Sequence, residues 1–532
     1  MKYGNFKNYS AVILILFIVF LGCSVENKKT HEVGSLTPKY GGTLHFLQES
    51  PHTLDPLHLD DIYESSIINQ LFEGLLALDN NLNIVPGLAQ TWDISPDKLT
   101  YTFYLRKGVK FHNGREVIAD DIVHSIKRIM NSNAINVSSW KQLLKHIKGL
   151  DKDYFSKNDN IEGLQIVDKY TLKIILAQPL VPLLYLLAAE IVFIVPKEEV
   201  EKKGEIEFGK NPVGCGPFRF ASWEKDKKII LIANKDYYKG RPYLDTLIFK
   251  IENYTFEKSI SQFKNREIDV TYIPSRLYDE FNNSEYKLIA RPEISLMGLG
   301  FNINKYPFNI LKVRQAIYYA TDNESYISKN MHSNLPAQSI LPQPMVKYVG
   351  AFIKKKFVLE KAKILLNEAG FKDGRGLDTL ELWSLEGEIT AKIVDNLTTL
   401  GLKVKTRNAE WDTYINMLDK KKMGMFMFSV VGDSPDPSMF YSSLLNSTGS
   451  NNYFNFQNKQ VDSLLENMHG QNSLNSLKQI CQNIENIAAD SVPFVPILYY
   501  VNNVSMQSHV MDLNINPFGL AASKLSKVWL NK

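Results

Sequence analysis

Long apolar runs are almost missing from this chain of 532 residues. The one unbroken run, Ala11–Leu21, is shorter than the roughly 20 residues a helix needs to cross a hydrocarbon core, so a permanent transmembrane anchor is not expected. Cysteine is equally sparse: Cys23, Cys215 and Cys481 are the whole set, and the ten histidines are scattered. No pair stands at a metal-ligand spacing, so no metal is expected. An excess of one charge is absent as well, with 61 Lys and Arg against 57 Asp and Glu. That balance gives no basic stripe for a phosphate backbone, and nucleic acid is excluded as a partner. There is no internal repeat, low-complexity tract, serine elbow or phosphate loop, so neither an enzyme nor a cofactor is expected.

What is present begins at the N-terminus. Lys2 and Lys7, the apolar run and then Gly22-Cys23 follow the order of an export signal. Cleavage before Cys23 would remove residues 1–22 with their two lysines and lower the formal charge from +4 to +2. Phe20-Leu21-Gly22-Cys23 resembles the lipobox of bacterial lipoproteins, with its leucine one place late. The resemblance implies a lipidated Cys23 and a protein anchored at the cell envelope on the extracytoplasmic side. Residues 23–37 are polar and read as a flexible tether.

Beyond the tether the apolar pattern alternates between two periods. Strand-like runs stand at Gly41–Phe46, Tyr101–Leu105, Thr171–Leu176, Ile229–Ala233 and Leu247–Ile251. Helical spacing appears at Ser65–Leu76, Ala119–Met130, Val313–Tyr319, Leu359–Ala369, Ile389–Leu400 and Leu474–Ala489. Strands alternating with helices predict an α/β architecture. The length exceeds the roughly 250–300 residues at which a single core stops growing, so at least two domains are expected. A composition of 44% hydrophobic residues, with 26 Tyr and 28 Phe, suffices for large cores and for an aromatic-lined cleft. Cys215 and Cys481 are either one bridge or two buried thiols.

Several candidate chemistries have plainer readings. His112 has no second ligand at metal spacing and is assigned to packing beside the Asn113-Gly114 turn. Asp120-Asp121 open a helix, where acids cap and complement the helix dipole.

Five segments carry identity: Leu54-Asp55-Pro56; the run Asp97–Gly114 continuing to Ala119-Asp120-Asp121-Ile122; Asn211–Phe218; Val313–Ile317; and Gly432–Pro437. In this order they resemble the extracellular solute-binding proteins of family 5, the dipeptide and oligopeptide receptors of ABC importers. Lys98 and Cys215 depart from the family pattern where a glycine and a small hydroxyl residue are common. The resemblance implies a two-lobed, class II periplasmic-binding-protein-like fold with an extra inserted subdomain and a hinge. The first lobe would take residues 38–75, 209–293 and 497–532, the inserted subdomain 76–208 and the second lobe 294–496. Chain crossings near 293 and 496 would form the hinge.

The same resemblance supplies the site. Asp433 matches the aspartate that pairs with the α-ammonium of a bound peptide, Trp411 the tryptophan that helps line the pocket, and Gly432 belongs to the same loop. Glu49 and Tyr500 would complete the walls, with Asp436 as a turn residue. Leu418 and Met427 stand where oligopeptide binders carry arginine, and the segment from Trp383 to Glu388 is acidic where dipeptide binders carry theirs, so no clamp for a peptide carboxylate is assigned. The expected function is capture of short peptides for ABC permease subunits by a lipid-anchored monomer. Two alternatives stay open: a receptor of the same fold for a nickel chelate, a sugar or another small cation, the last facing Glu386 and Glu388, or a surface sensor or adhesion lipoprotein. A hydrolase using Asp433 and Asp436 is set aside.

Overall fold

The computed structural model of the chain describes residues 37–532, apart from 135–136, 152–159, 181, 328–332, 350–356, 386, 469 and 472. The signal segment 1–22, the lipidation site Cys23 and nearly all of the tether lie outside the described residues. Residues 39–532 form a single folded body.

Alternation in Thr43–Gln48 and Thr246–Ile251 sends Leu44, Phe46, Leu247 and Phe249 into one core. These two strands pair in parallel although 200 residues separate them, from Thr43↔Thr246 to Gln48↔Ile251. Lys228–Ala233 and Phe218–Glu224 complete this four-stranded sheet as antiparallel neighbours. Between the two parallel partners the chain builds another sheet, ordered Ala89–Ile94, Thr100–Leu105, Thr171–Ile175 and Leu164–Asp168. Helix Ala119–Asn131 shares its core through Ile122, Ile126 and Ile129.

Asp121 takes two hydrogen bonds from Arg115 and one from the Ile118 amide, while Asp120 pairs with Lys197 at 3.3 Å. Both acids are thus spent on helix and loop. His112 is equally committed: the Gly214 amide donates to its Nδ1 at 3.2 Å and its Nε2 donates to the Gly216 carbonyl at 3.1 Å. Burial pushes this imidazole down to about 4. Gly214 and Gly216 lie so close to Leu71 that an added Cβ would fall 1.9 and 2.5 Å from its backbone, which is why the segment is glycine-rich.

A six-stranded mixed sheet organises the rest, ordered Leu335–Pro336, Phe494–Tyr499, Ser295–Phe301, Met425–Val431, Leu380–Trp383 and Val404–Arg407. The long helix Leu474–Ser491 ends on the side chain of Arg314, which donates to the carbonyls of Ser491 at 2.7 Å and Val492 at 3.0 Å. A three-stranded sheet of Val270–Tyr272, Val501–Gln507 and Tyr286–Pro292 stands beside it in the chain path. Tyr286–Pro292 continues into Ser295–Phe301, and Phe494–Tyr499 into Val501–Gln507. The chain therefore passes twice between sheets, once at Glu293-Ile294 and once at Tyr500, and the Glu293 amide ties the passages by donating to the Tyr500 carbonyl at 3.0 Å. This is the two-domain α/β architecture of the periplasmic binding proteins.

Two details depart from the sequence pattern. The helix expected at 65–76 spans Ile62–Leu71, because Asp61 caps it by accepting from the amides of Tyr63 and Glu64. The apolar run continues past its end because Leu75 and Leu76 belong to the neighbouring core. Cys215 and Cys481 are free and buried, so they form no bridge.

Candidate functional site

Two cavities meet at Val431, which lines both. The larger, about 820 Å³, is walled by both ends of the chain and by the passages between the sheets: Gln48, Tyr63, Tyr254, Tyr272, Glu293 and Tyr500 face it. The smaller, about 430 Å³, lies between Trp140–Leu143 and the loop after Met425–Val431. Among the described residues, no Lys, Arg or His lines either cavity.

Asp433 faces the smaller cavity from a loop that is held on every side. Gly432 donates its amide to the Ile294 carbonyl at 2.8 Å, and an added Cβ there would fall 2.7 Å from the Ile294 side chain and 2.9 Å from the Phe440 ring. Asp436 accepts from the Ser438 amide at 2.8 Å, capping helix Pro437–Leu445, and Ser434 through Pro437 are buried. Asp436 is thus structural, as its turn position suggests. Asp433 is different. Its carboxylate is reached by solvent through the cavity mouth, yet among the described residues it has neither a hydrogen-bond nor an ion-pair partner. The surrounding protein mass pushes its pKa above the usual carboxylate range.

Tyr500 lines the larger cavity, where its amide donates to Ser295 Oγ at 3.2 Å and its hydroxyl meets Ser429 Oγ at 3.0 Å. Gln48 also faces that space, locked to helix Ile62–Leu71 by its bonds with the Tyr63 carbonyl and Ser66 Oγ. Glu49, the next residue, is half-buried and is not on either wall, although its charge is felt by Tyr63. Trp411 starts helix Trp411–Asp419 and is 61% exposed, over a shallow hollow of its own helix. The structure therefore brings Asp433, Gly432 and Tyr500 to the two joined cavities and leaves Glu49 and Trp411 outside their walls.

Leu418 and Met427 are core residues, only 4% and 8% exposed, so no carboxylate clamp can stand at those places. Glu388 pairs with Lys392 at 3.1 Å and is on neither wall, and Glu386 lies outside the described residues. One wall residue carries no signal in the sequence. Glu293 faces the larger cavity; burial raises its pKa, partly offset by a hydrogen bond with Ser295.

The family model for bacterial extracellular solute-binding proteins, family 5 middle region, matches residues 83–452. Heme-binding protein A of Haemophilus influenzae is 26% identical, covering 94% of each chain. The oligopeptide-binding protein AppA of Bacillus subtilis is 27% identical over 98% of each. Among solved structures, the ABC transporter-associated periplasmic binding protein DppA of Helicobacter pylori, in complex with the peptide STSA, superposes with a TM-score of 0.75. It is 25% identical, and the match covers 93% of this chain and 99% of that one.

Proposed function

The chain belongs to the bacterial extracellular solute-binding proteins of family 5, and from that membership we infer that it is the peptide-binding component of an ABC importer, with Asp433 as the anchor for the ligand's free α-ammonium. The observation that carries the reading is a carboxylate that, among the described residues, is unpaired and stands in a cavity whose walls hold no cationic side chain. A bound ammonium supplies the missing charge, and in a partly dry site such a charge-assisted hydrogen bond offsets the desolvation of both groups. Relatives include a heme-binding protein as well as peptide binders, so family membership alone does not choose the ligand and the wall chemistry has to. The protein is not an enzyme; transfer of the ligand to the permease makes and breaks no bond.

Gly432 and Tyr500 complete the site on this reading, with Glu49 behind the Tyr63 wall. Trp411 stands ready to be covered when the lobes close on a ligand. We place the hinge at Glu293-Ile294 and Tyr500, the second passage four residues beyond the position suggested by sequence, because the strand ending at Tyr499 still belongs to the six-stranded sheet. The lobes then take residues 38–75, 209–293 and 500–532 on one side and 294–499 on the other, with 76–208 inserted. The protein works outside the cytoplasm; a lipid on Cys23 would hold it there, as a monomer, beside its permease.

The test is native mass spectrometry of the body from residue 24 onward, purified from rich medium, with bound ligands released and sequenced. A ladder of mixed peptides that disappears in Asp433→Ala is expected. A single non-peptide mass, or a site that stays empty when peptides are supplied, overturns the reading.

A further inference from the structure

Glu293 is held as firmly as a residue inside a sheet. Its amide donates to the Tyr500 carbonyl at 3.0 Å, and the Tyr500 amide donates to Ser295 Oγ at 3.2 Å. Ser295 is fully buried, so these bonds fix the backbone from which the carboxylate projects. Glu293 lines the larger cavity together with Tyr272 and Tyr500, whose phenols are both raised by burial and further by the Glu293 charge. The cavity has one other acidic wall residue, Glu257, and that one is answered by Arg276 at 3.2 Å. Among the described residues Glu293 has no cation. A carboxylate that shares a cavity wall with aromatic rings suits an organic cation, since the carboxylate supplies charge and the rings supply cation–π attraction.

Its place relative to Asp433 limits what that cation can be part of. Ser295 pairs with Val431 in the sheet, and the pairing runs on as Gly432 donates to Ile294. Glu293 and Asp433 each stand one residue beyond that bond, which keeps the two acids close to one another in space. The two carboxylates face the two cavities that share Val431. We propose that Glu293 is a specificity-determining residue that selects peptides carrying a lysine or arginine among their first three residues, the α-ammonium at Asp433 and the side-chain cation at Glu293. This rests on the peptide reading of the cleft.

The test is calorimetric titration of the body from residue 24 onward, and of its Glu293→Gln variant, with tetra-alanine and with tetra-alanine carrying lysine or norleucine at position 1, 2 or 3. Lysine should bind more tightly than norleucine at one position, by on the order of 10- to 100-fold. That advantage should vanish in Glu293→Gln, lysine and norleucine peptides then binding alike, while the melting temperature is kept. Equal binding of lysine and norleucine at all three positions, or an advantage that survives in the variant, overturns the proposal and leaves the peptide reading standing. If no peptide binds the folded protein, 1,5-diaminopentane decides the rest. Binding lost in Glu293→Gln keeps the cation site and overturns the peptide reading, and no binding overturns both.

Discussion

Glu73 is a carboxylate enclosed in the fold and Asp433 one that solvent reaches on a cavity wall, and the protein treats them in opposite ways. Glu73 is 1% exposed and is met by Lys524 at 2.8 Å, Lys239 at 3.3 Å, Tyr237 at 2.9 Å and Tyr238 at 3.1 Å. Burial alone would raise it, but the two ammonium groups and the phenols outweigh that and bring it down to about 2. Asp433 and Glu293 receive no such company, and burial raises both. Glu73, which builds the fold, brings its cations from the same chain, because a lone buried charge is costly. A carboxylate left unmatched on a cavity wall lowers stability, and a ligand that supplies the counter-charge recovers it.

The largest effect is expected from removing the matched group. Glu73→Ala leaves Lys524 and Lys239 uncompensated and should cost about 3–5 kcal/mol in denaturant unfolding, with ligand affinity of the folded fraction unchanged. Next is Asp433→Asn, which should weaken peptide binding by about 2–4 kcal/mol in calorimetry. If Glu73→Ala weakened binding and Asp433→Asn weakened the fold, the contrast would be wrong.

The two classes should also respond to pH with opposite sign. Glu73 is lowered in the folded state, so its contribution is present above the unfolded pKa and is lost as pH falls toward about 2. Asp433 is raised, so its contribution is fullest below the unfolded pKa and is lost as pH rises through the folded one. Asp433→Asn should therefore be more stable than the parent at neutral pH, with the gap closing in acid. A bound ammonium favours the ionised carboxylate, so binding should release protons and weaken as pH falls through the carboxyl range; titration in two buffers of different ionisation heat measures this. The smallest effect belongs to Glu257→Gln. This acid lines the same cavity as Glu293 but is already paired and exposed, so its loss should change affinity by less than about 0.5 kcal/mol.

Much of the fold was legible in the chain. The alternation at Tyr101–Leu105 and the helical spacing at Ala119–Met130 report burial on one face, and the structure has a strand at Thr100–Leu105 and a helix at Ala119–Asn131. The helix at Ile62–Leu71 was misplaced because its boundary is set by the Asp61 cap, a single polar contact, while the apolar spacing runs on into a different core. Asp433 stood out only through its loop's resemblance to a family pattern. Glu293 could not stand out, because its meaning comes from Val431 and Tyr500, residues more than 130 and 200 positions away that reach it through sheet pairing and one backbone hydrogen bond.

The tie between the two passages has a kinetic consequence. Points on an axis move least when two bodies turn about it, so if the lobes turn about the two passages, as proposed, Glu293 and Tyr500 keep nearly the same positions before and after the swing. A ligand's charge is then read on first encounter, and discrimination against uncharged side chains falls on the association step and the lifetime of the open complex. The swing that follows need only retain what has already been sorted.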